Sequence, residues 1–575
     1  MLRARSVLGL MGGVVASFAL VGCSGSAPCG DARSCAAADA SAADTRDDAV
    51  SPRADAGVDA PAAVSRDASP DVDIDAGAGD AADAADAAIE ASATADARSE
   101  DVKVDTFVCD LTQPPSASPC VLDADSGVFV APTANGGSDT VGNGTSASPY
   151  ATLSHALASL GAASRVYVCD GAYTDQVTVT SAVAIFGGLS CGASAASGSV
   201  GPWAYVAGAK ATIHGASPAF ALEVNAGSAV VDLEDLEIDA APGTSASPSS
   251  VAVFATTSTS VTLRRTTLVA APGFEGASGT AGAAGALVSA AVNGIALALA
   301  SPDGQPVAAI HQGGPATTCT CSTGATSVGG EGASSPTAIA GESGLPAQST
   351  PTPASATGAG GTEGMCTSAA GGVNGSNAMP LVAGDGLAAT LQGAVDSTGW
   401  HPADGAPGVN GGPGQGGGGG GLYVLAPGGR PAAGGACGGC GGVGGGFGAG
   451  AGGSIALVAY DAPVQLIAAT LTSSTAGAGG NGAVGGAGIA GGVGGAVVSP
   501  ACAGGAGGAG AAGGLGAGGA GGVSIGILYQ GVAPTPDTAT QIGVGAAGIA
   551  GIGGDPGKND GLPGVSANVQ NAAWL

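Results

Sequence analysis

Residues 504–522 read GGAGGAGAAGGLGAGGAGG, with glycine at 504, 507, 510, 513, 516, 519 and 522. The same period of three runs through 273–285, 405–420, 435–444, 479–494 and 545–557. A flexible linker needs glycine richness but has no use for phase. A phosphate-cradling loop needs one glycine-rich turn between a strand and a helix, with Lys-Ser/Thr or an acidic partner downstream, and these runs have neither. Collagen needs long uninterrupted triplets rich in proline; these runs stop after four to seven glycines, and GAPGVNGGPGQG is the exception among them in carrying prolines. The phase therefore favours extended three-fold segments packed side by side, with glycine facing each neighbour because no Cβ fits there. Backbone groups would then be satisfied between segments. At about 3.1 Å per residue, 504–522 would make a rod of roughly 59 Å.

The runs flank repeating strand units. VVDLEDLEIDAAPG (230–243) aligns with SVTLRRTTLVAAPG (260–273), placing Val231 over Val261, Leu233 over Leu263 and Ile238 over Leu268. PVQLIAATLTSSTAG keeps the same spacing at Val464, Leu466 and Leu471. An apolar run precedes each copy, respectively AFALEV, SSVAVF and GSIALVAY, and VSIGILYQ opens a degenerate fourth unit. Stacked units of this kind bury their inward residues only against their neighbours. The alignment also sets Glu234 over Arg264 and Asp235 over Arg265, so the acidic cluster DLEDLEID is expected to form cross-strand ion pairs rather than a catalytic carboxylate pair.

Only 3% of the chain is aromatic, and 14 basic residues face 43 acidic ones, for a net charge of -29. That balance excludes nucleic acid and anionic head groups as partners and leaves neutral, cationic or divalent-bridged ones. At the N-terminus Arg3 and Arg5 precede VLGLMGGVVASFAL, a run too short for a good membrane span, and then LVGC at 20–23. This resembles a bacterial lipoprotein signal. The resemblance implies cleavage after residue 22, acylation of Cys23, and an exported chain held by its lipid; Ser24 in the following position implies the outer membrane or cell surface. Residues 23–106 are Ala, Asp and Ser with almost no aromatic residue, and read as a disordered acidic stalk. As a random coil the stalk would span on the order of 50 Å. Asp71, Asp73 and Asp75 mimic the start of a calcium loop, but the glycine and the acid such a loop requires further on are missing.

The folded part is expected as a head over 107–275, a glycine-rich insert with cysteines over 276–450, and strand repeats with Gly-x-x runs over 451–575. In the head, GVFVAP leads through a Gly/Asn/Ser loop to a helix with Leu153, Ala156, Leu157 and Leu160 on one face, then to RVYVC, QVTVT and VAIFGG. Gly137-Ser138-Asp139, Gly144-Thr145, Pro149-Tyr150-Ala151-Thr152-Leu153, Val166-Tyr167-Val168 and Gly171-Ala172-Tyr173 follow one another along it. This segment of about 80 residues resembles the N-terminal part of pectate-lyase-like right-handed parallel β-helix proteins, a likeness that speaks for fold and not for activity. The glycine-rich half resembles bacterial surface proteins with glycine-rich repeats, which implies exposure and interaction. The expected fold class is thus all-β: a right-handed parallel β-helix with polyglycine II-like segments behind a disordered stalk.

With Cys23 acylated, twelve cysteines remain, an even number that fits disulfides in an exported chain. Cys109 with Cys120 and Cys169 with Cys191 are the preferred local pairs. Cys29, Cys35, Cys319, Cys321, Cys366, Cys437, Cys440 and Cys502 leave many connectivities open. Cys319-Thr-Cys321 with CGGC at 437–440 could also hold zinc or act as a redox pair, but no nearby histidine completes a site and the compartment favours disulfides. No metal and no cofactor is expected. A polysaccharide lyase or glycoside hydrolase would need carboxylates, with Arg or Lys for a lyase, grouped on one face; Asp170, Asp175, Asp232 and Asp235 are the candidates, with Asp139 and Glu237 nearby in the head. The histidines 155, 214, 311 and 401 lie far apart, and His155 falls on the helix as a surface or cap residue. The anchor, stalk, cysteines and repeats favour a non-catalytic structural or adhesive surface protein that contacts matrix, polysaccharide or other cells.

Overall fold

In a computed structural model the chain divides into two units, Met1–Asp101 and Val102–Leu575. The structure describes residues 109–575 except 123–125, 193–201, 216–219, 257–259, 289–291, 297–311, 348–356, 367–369, 425–429 and 498–499. The N-terminal signal, Cys23, Cys29, Cys35, the stalk and His311 lie outside the described residues.

The second unit is all-β and built on three largely parallel sheets that the chain visits in turn. The first holds Val128–Val130, Arg165–Cys169, Val183–Ser190, Val230–Glu234, Ser260–Arg264, Val464–Ile467 and Thr535–Pro536, with Ala204–Tyr205 antiparallel to Val183–Ser190. The second runs Gly171–Thr174, Ala211–His214, Leu236–Asp239, Thr267–Val269, Thr470–Thr472 and Gln541–Gly543. Val177–Val179, Phe220–Val224, Ser250–Thr256, Ser454–Tyr460, Ser524–Gln530 and Ser566–Asn571 make the third. The register is the one the repeats predict: Val231, Val261 and Val464 align, as do Leu233, Leu263 and Leu466, and Ile238, Leu268 and Leu471. These residues are buried between the sheets, together with Ile185, Ile213, Leu222, Val253 and Leu457.

The middle of the third sheet is buried on both faces, so Ser250–Thr256 and Ser454–Tyr460 are nearly continuous apolar runs. Its outer side packs Phe254, Ile455, Val458 and Leu528 against Trp400, Val395 and Leu575. Trp400 and Val395 belong to an antiparallel hairpin, Gly393–Asp396 with Gly399–Pro402. The helix Leu153–Ala158 is capped by Thr152, whose side chain accepts from the His155 N–H, and it buries Leu153 and Ala156.

The glycine runs all leave from one corner. Early circuits pass from the second to the third sheet by short connections, but the later circuits travel out and back through 270–453, 473–523 and 544–565 before re-entering the third sheet. The legs hydrogen-bond to one another according to residue number modulo three. From the 504–522 leg, the N–H groups of Gly507, Gly510, Gly513, Gly516, Gly519 and Gly522 donate to the carbonyls of Gly492, Ile489, Gly486, Ala483, Gly480 and Gly477 at 2.8–3.0 Å. The next residue in each triplet, from Gly505 to Ala520, donates to the leg at 403–418. The third donates elsewhere again: Ala512 to the Leu381 carbonyl, Gly518 to that of Asn559, Gly521 to that of Leu562, and Ala506, Ala509 and Leu515 to the side chains of Asn374, Asn377 and Asp385. A chain that presents its donors to three neighbours in rotation leaves few buried polar groups unpaired.

The same packing explains why glycine keeps its phase. A Cβ on Gly507 would lie 1.8 Å from the Cys437 carbonyl oxygen, and one on Gly516 1.9 Å from that of Gly446. Two disulfides fasten this body where Cys319, on the strand Thr317–Thr320, and Cys321, two residues on and so on the same side, meet Cys437 and Cys440, three apart on a glycine leg. A third joins Cys366 to Cys502.

Gly516→Ala is expected to shift the urea unfolding midpoint downward by the equivalent of about 1–3 kcal/mol, because backbone must move to admit the methyl group. Ala490→Ser, at an exposed position of a neighbouring leg, should stay within about 0.5 kcal/mol of wild type.

Candidate functional site

Two charged groups face outward near the corner where the first sheet hands over to the second. The first is held by the corner itself. Asp235 and Arg265 occupy the residue between the strands in successive circuits, both with left-handed backbone, φ 54° and 52°. Ala468 repeats the conformation one circuit later at φ 49°. The left-handed region costs a non-glycine residue roughly 1–2 kcal/mol, offset here by hydrogen bonds along the stack: the Asp235 N–H donates to the Arg264 carbonyl and the Arg265 N–H to that of Ile467. At Ala468 the Asp537 carboxylate accepts the N–H instead.

This corner brings two arginines over two carboxylates. Arg265 forks onto Asp235, Nε to Oδ1 and Nη2 to Oδ2, both at 2.8 Å, and its Nη2 also reaches Glu234 Oε2 at 3.0 Å. Arg264 Nε donates to Glu234 Oε1 at 3.1 Å. The carboxylates are buried, Glu234 7% and Asp235 5% exposed, whereas the arginine side chains stay about one-third exposed. Burial pushes the Glu234 carboxyl above its ordinary range even though Arg265 and Arg264 pull it down. The Asp235 hydrogen bonds raise the Arg265 guanidinium further above its already high value. The group is a closed ion-pair network, with its carboxylate oxygens already engaged.

The second group lies on the outer face of the second sheet. The register aligns Thr212, Glu237 and Thr267 in one row and His214, Asp239 and Val269 in the next. Lys210 Nζ donates to Thr267 Oγ1, and burial lowers its pKa although Glu237 and Asp235 oppose the shift. His214 Nδ1 is 3.3 Å from Asp239 Oδ2. Burial, with the Glu237 charge, raises the Asp239 carboxyl. Lys210 and Asp239 thus each feel the Glu237 charge, which opposes the fall at the lysine and adds to the rise at the aspartate. The sequence reading named Glu237 and His214 but not this grouping, because nothing in the spacing shows Lys210, at the edge of a turn, reaching across to residues in the two following circuits.

The four candidate aspartates, and Asp139 with them, have different duties. Asp175 accepts from Ser154 at both N–H and hydroxyl, 2.9 and 2.8 Å, at the start of the helix. Asp139 holds the Ala151 and Thr152 N–H groups just before it. Asp170 lies beside the Cys169–Cys191 disulfide; these three side chains lie close enough to share an ion, but the two sulfurs are spent on each other. Asp232 lines a cleft of about 210 Å³ with Glu234, Arg165, Phe186 and Leu111, while Asp235 is committed to Arg265. His155 stacks edge-on against Tyr150, and His401 bonds with Asp396 and Thr398 in a hairpin turn. All ten described cysteines are in disulfides, including Cys109–Cys120, so Cys319, Cys321, Cys437 and Cys440 do not form a four-thiolate centre.

Arg265→Met strips a partner from two buried carboxylates. It is expected to cost about 1–3 kcal/mol at pH 7, less than a fully buried pair because the arginine is partly solvated. The deficit should shrink as pH falls and the Glu234 carboxyl, already raised by burial, protonates, and Asp235→Asn in the same chain should recover part of it; urea midpoints against pH read both effects. The raised Glu234 and Asp239 values have the opposite sign to a stabilising salt bridge. Their protonated forms favour the fold, so their contribution is full below the ordinary carboxylate range and is lost as pH rises through the raised values. Asp239→Asn should therefore flatten the fall in stability as pH rises above the ordinary carboxylate range.

No family model matches the chain, and neither curated proteins nor solved structures give a significant match.

Proposed function

We propose that this is an exported protein, acylated at Cys23 and held at the outer membrane or cell surface, whose folded body serves as a non-catalytic structural or adhesive element toward matrix polysaccharide or neighbouring cells. We read the three sheets as the faces of a right-handed parallel β-helix of the pectate-lyase-like kind. The glycine legs we read as polyglycine II-like three-fold segments projecting from one corner of it. Strands that cycle through three parallel sheets, and donors that rotate with a period of three, support both descriptions.

The observation that carries the reading is the hydrogen-bonding of the glycine legs. So much of the chain is spent on mutually bonded backbone that its evident product is a stiff body with broad outer surfaces. The five disulfides among the described residues suit an oxidising compartment. The acidic surplus suits neutral or cation-bridged partners and disfavours nucleic acid.

A second reading, polysaccharide lyase or glycoside hydrolase, is favoured by one observation, the Lys210–Glu237–Asp239–His214 grouping. Residues 102–575 incubated with acidic and neutral polysaccharides discriminate the two. Retention without new unsaturated or reducing ends is expected. Release of such ends, abolished by Lys210→Met or Asp239→Asn, would replace the adhesive reading with the enzymatic one. Cys23→Ala should abolish labelling of the full chain by radioactive palmitate in the producing cell; persistent labelling would remove the anchor from the proposal.

A further inference from the structure

The described chain begins with a disulfide-closed loop that sits on the outer face of the first sheet. Cys109 and Cys120 are bonded to each other with Cα atoms 5.8 Å apart, and a short 3-10 turn, Pro119–Val121, follows. The loop's seat is mainly one residue. Arg165 donates from Nη1 to the Leu111 carbonyl and from Nη2 to that of Gln113 at 2.6 Å. Its guanidinium lies 4.6 Å from the Phe186 ring centroid and 5.7 Å from that of Tyr167. Arg165 is only 8% exposed. Arg265 adds a bond from Nη2 to Ser116 Oγ at 3.3 Å. Beyond the disulfide a separate attachment takes over: Val121 is fully buried, and its carbonyl accepts from Tyr167 Oη at 2.5 Å.

We propose that the Cys109–Cys120 disulfide is a tension bypass, a redox-sensitive strap that keeps this loop seated when the N-terminal segment is pulled. This rests on the reading of the N-terminal segment as a tether. Force entering at Cys109 crosses the sulfur bridge to Cys120 and is delivered to Val121 and its Tyr167 bond. The contacts of Leu111, Gln113 and Ser116 lie on the shunted arc and carry none of it. A small dithiol supplies the two electrons and two protons by closing to its own disulfide, which leaves Cys109 and Cys120 as thiols and returns the arc to the force path. The loop then peels residue by residue, uncovering Arg165, Phe186 and the cleft with Asp232 and Glu234 before any sheet is disturbed. The device would convert tension combined with a reducing environment into exposure of an aromatic and charged face that is otherwise covered.

The length change is fixed by the covalent chain. The two cysteines are 11 residues apart and the bridge already spans 5.8 Å, so at about 3.3–3.6 Å per extended residue reduction adds roughly 30–34 Å of chain. The test is optical-tweezers extension of the full chain between N- and C-terminal handles. Oxidised wild type is expected to show no such early step. Cys109→Ala/Cys120→Ala should show a step of roughly 30 Å below the force of the first larger event, and adding Arg165→Met should make that step about ten-fold faster at fixed force, as loss of bonds to a charged group implies. Wild type under reductant is the companion measurement that needs no substitution, since the other described disulfides enclose far longer arcs, 22 to 136 residues. The proposal fails if oxidised wild type gives the same early step, if neither the reduced chain nor the double variant gives one, or if Arg165→Met leaves its rate unchanged. These readings come from purified protein whatever the fate of Cys23, so failure here and failure of the anchor are separately visible.

Discussion

Close approach between backbones is the constraint on which the rest of this structure depends. Where a Cβ would fall about 2 Å from a neighbouring carbonyl oxygen, as at Gly507, Gly516 and Gly519, only glycine allows the legs near enough to exchange N–H···O bonds. The chain has few aromatic residues with which to build a large core, and half of what it does build lies between the three sheets. Away from them, order comes from hydrogen bonds that are individually worth only about 0.5–1.5 kcal/mol but are repeated at each triplet. Glycine's entropic cost on ordering is the opposing term, and the disulfides Cys319–Cys437, Cys321–Cys440 and Cys366–Cys502 act against it by closing long arcs of the unfolded chain.

Polar side chains complete the pattern where a backbone neighbour stops. Asn374, Asn377 and Asp385 accept the N–H groups of Ala506, Ala509 and Leu515, and Asn481 accepts that of Ile552. Asp537 does the same for Ala468 at the sheet corner. Much of the acid in the described chain is thus spent on backbone donors or, at Glu234 and Asp235, on arginine. The same residues that look catalytic by type are largely structural by position, and the Lys210 grouping stands out because burial shifts Lys210 and Asp239 without a guanidinium to close them into such a network.

What was legible in the sequence followed from periodicity. A repeat of 30 residues fixes the register of Val231 on Val261 and of Glu234 on Arg264, since parallel strands of successive circuits place equivalent residues side by side. Glycine phase likewise announces a three-directional contact. Long-range pairing of unlike segments was not legible. CxC and CGGC read as disulfide cysteines, but their pairing stayed open because their meeting depends on a strand hairpin and a glycine leg more than 100 residues apart. Arg165 reads as the first residue of an ordinary strand, and its place beneath the disulfide loop follows from a segment over 50 residues upstream folding back. Trp400, sparse and isolated in the sequence, proves to be the outer anchor of the third sheet.

The end of the stack shows why such an architecture must also be stopped. A parallel sheet offers the same row of donors and acceptors at its last strand as at any other, and an open row invites another chain. The first sheet ends on Thr535–Pro536, and proline at 534 and 536 removes donors from that edge. Asp537 then turns its carboxylate back onto the Ala468 and Thr540 N–H groups. The last glycine excursion reverses at Asp555 and Lys558, which form an ion pair at 2.7 Å. After the third sheet's last strand, a 3-10 turn packs back on the strand before it, Ser524–Gln530, and Leu575 lies beside the Trp400 hairpin, its carbonyl accepting the Gln392 N–H. Proline at the first sheet's edge and a charged reversal in the last glycine excursion both interrupt the repetition that built the body.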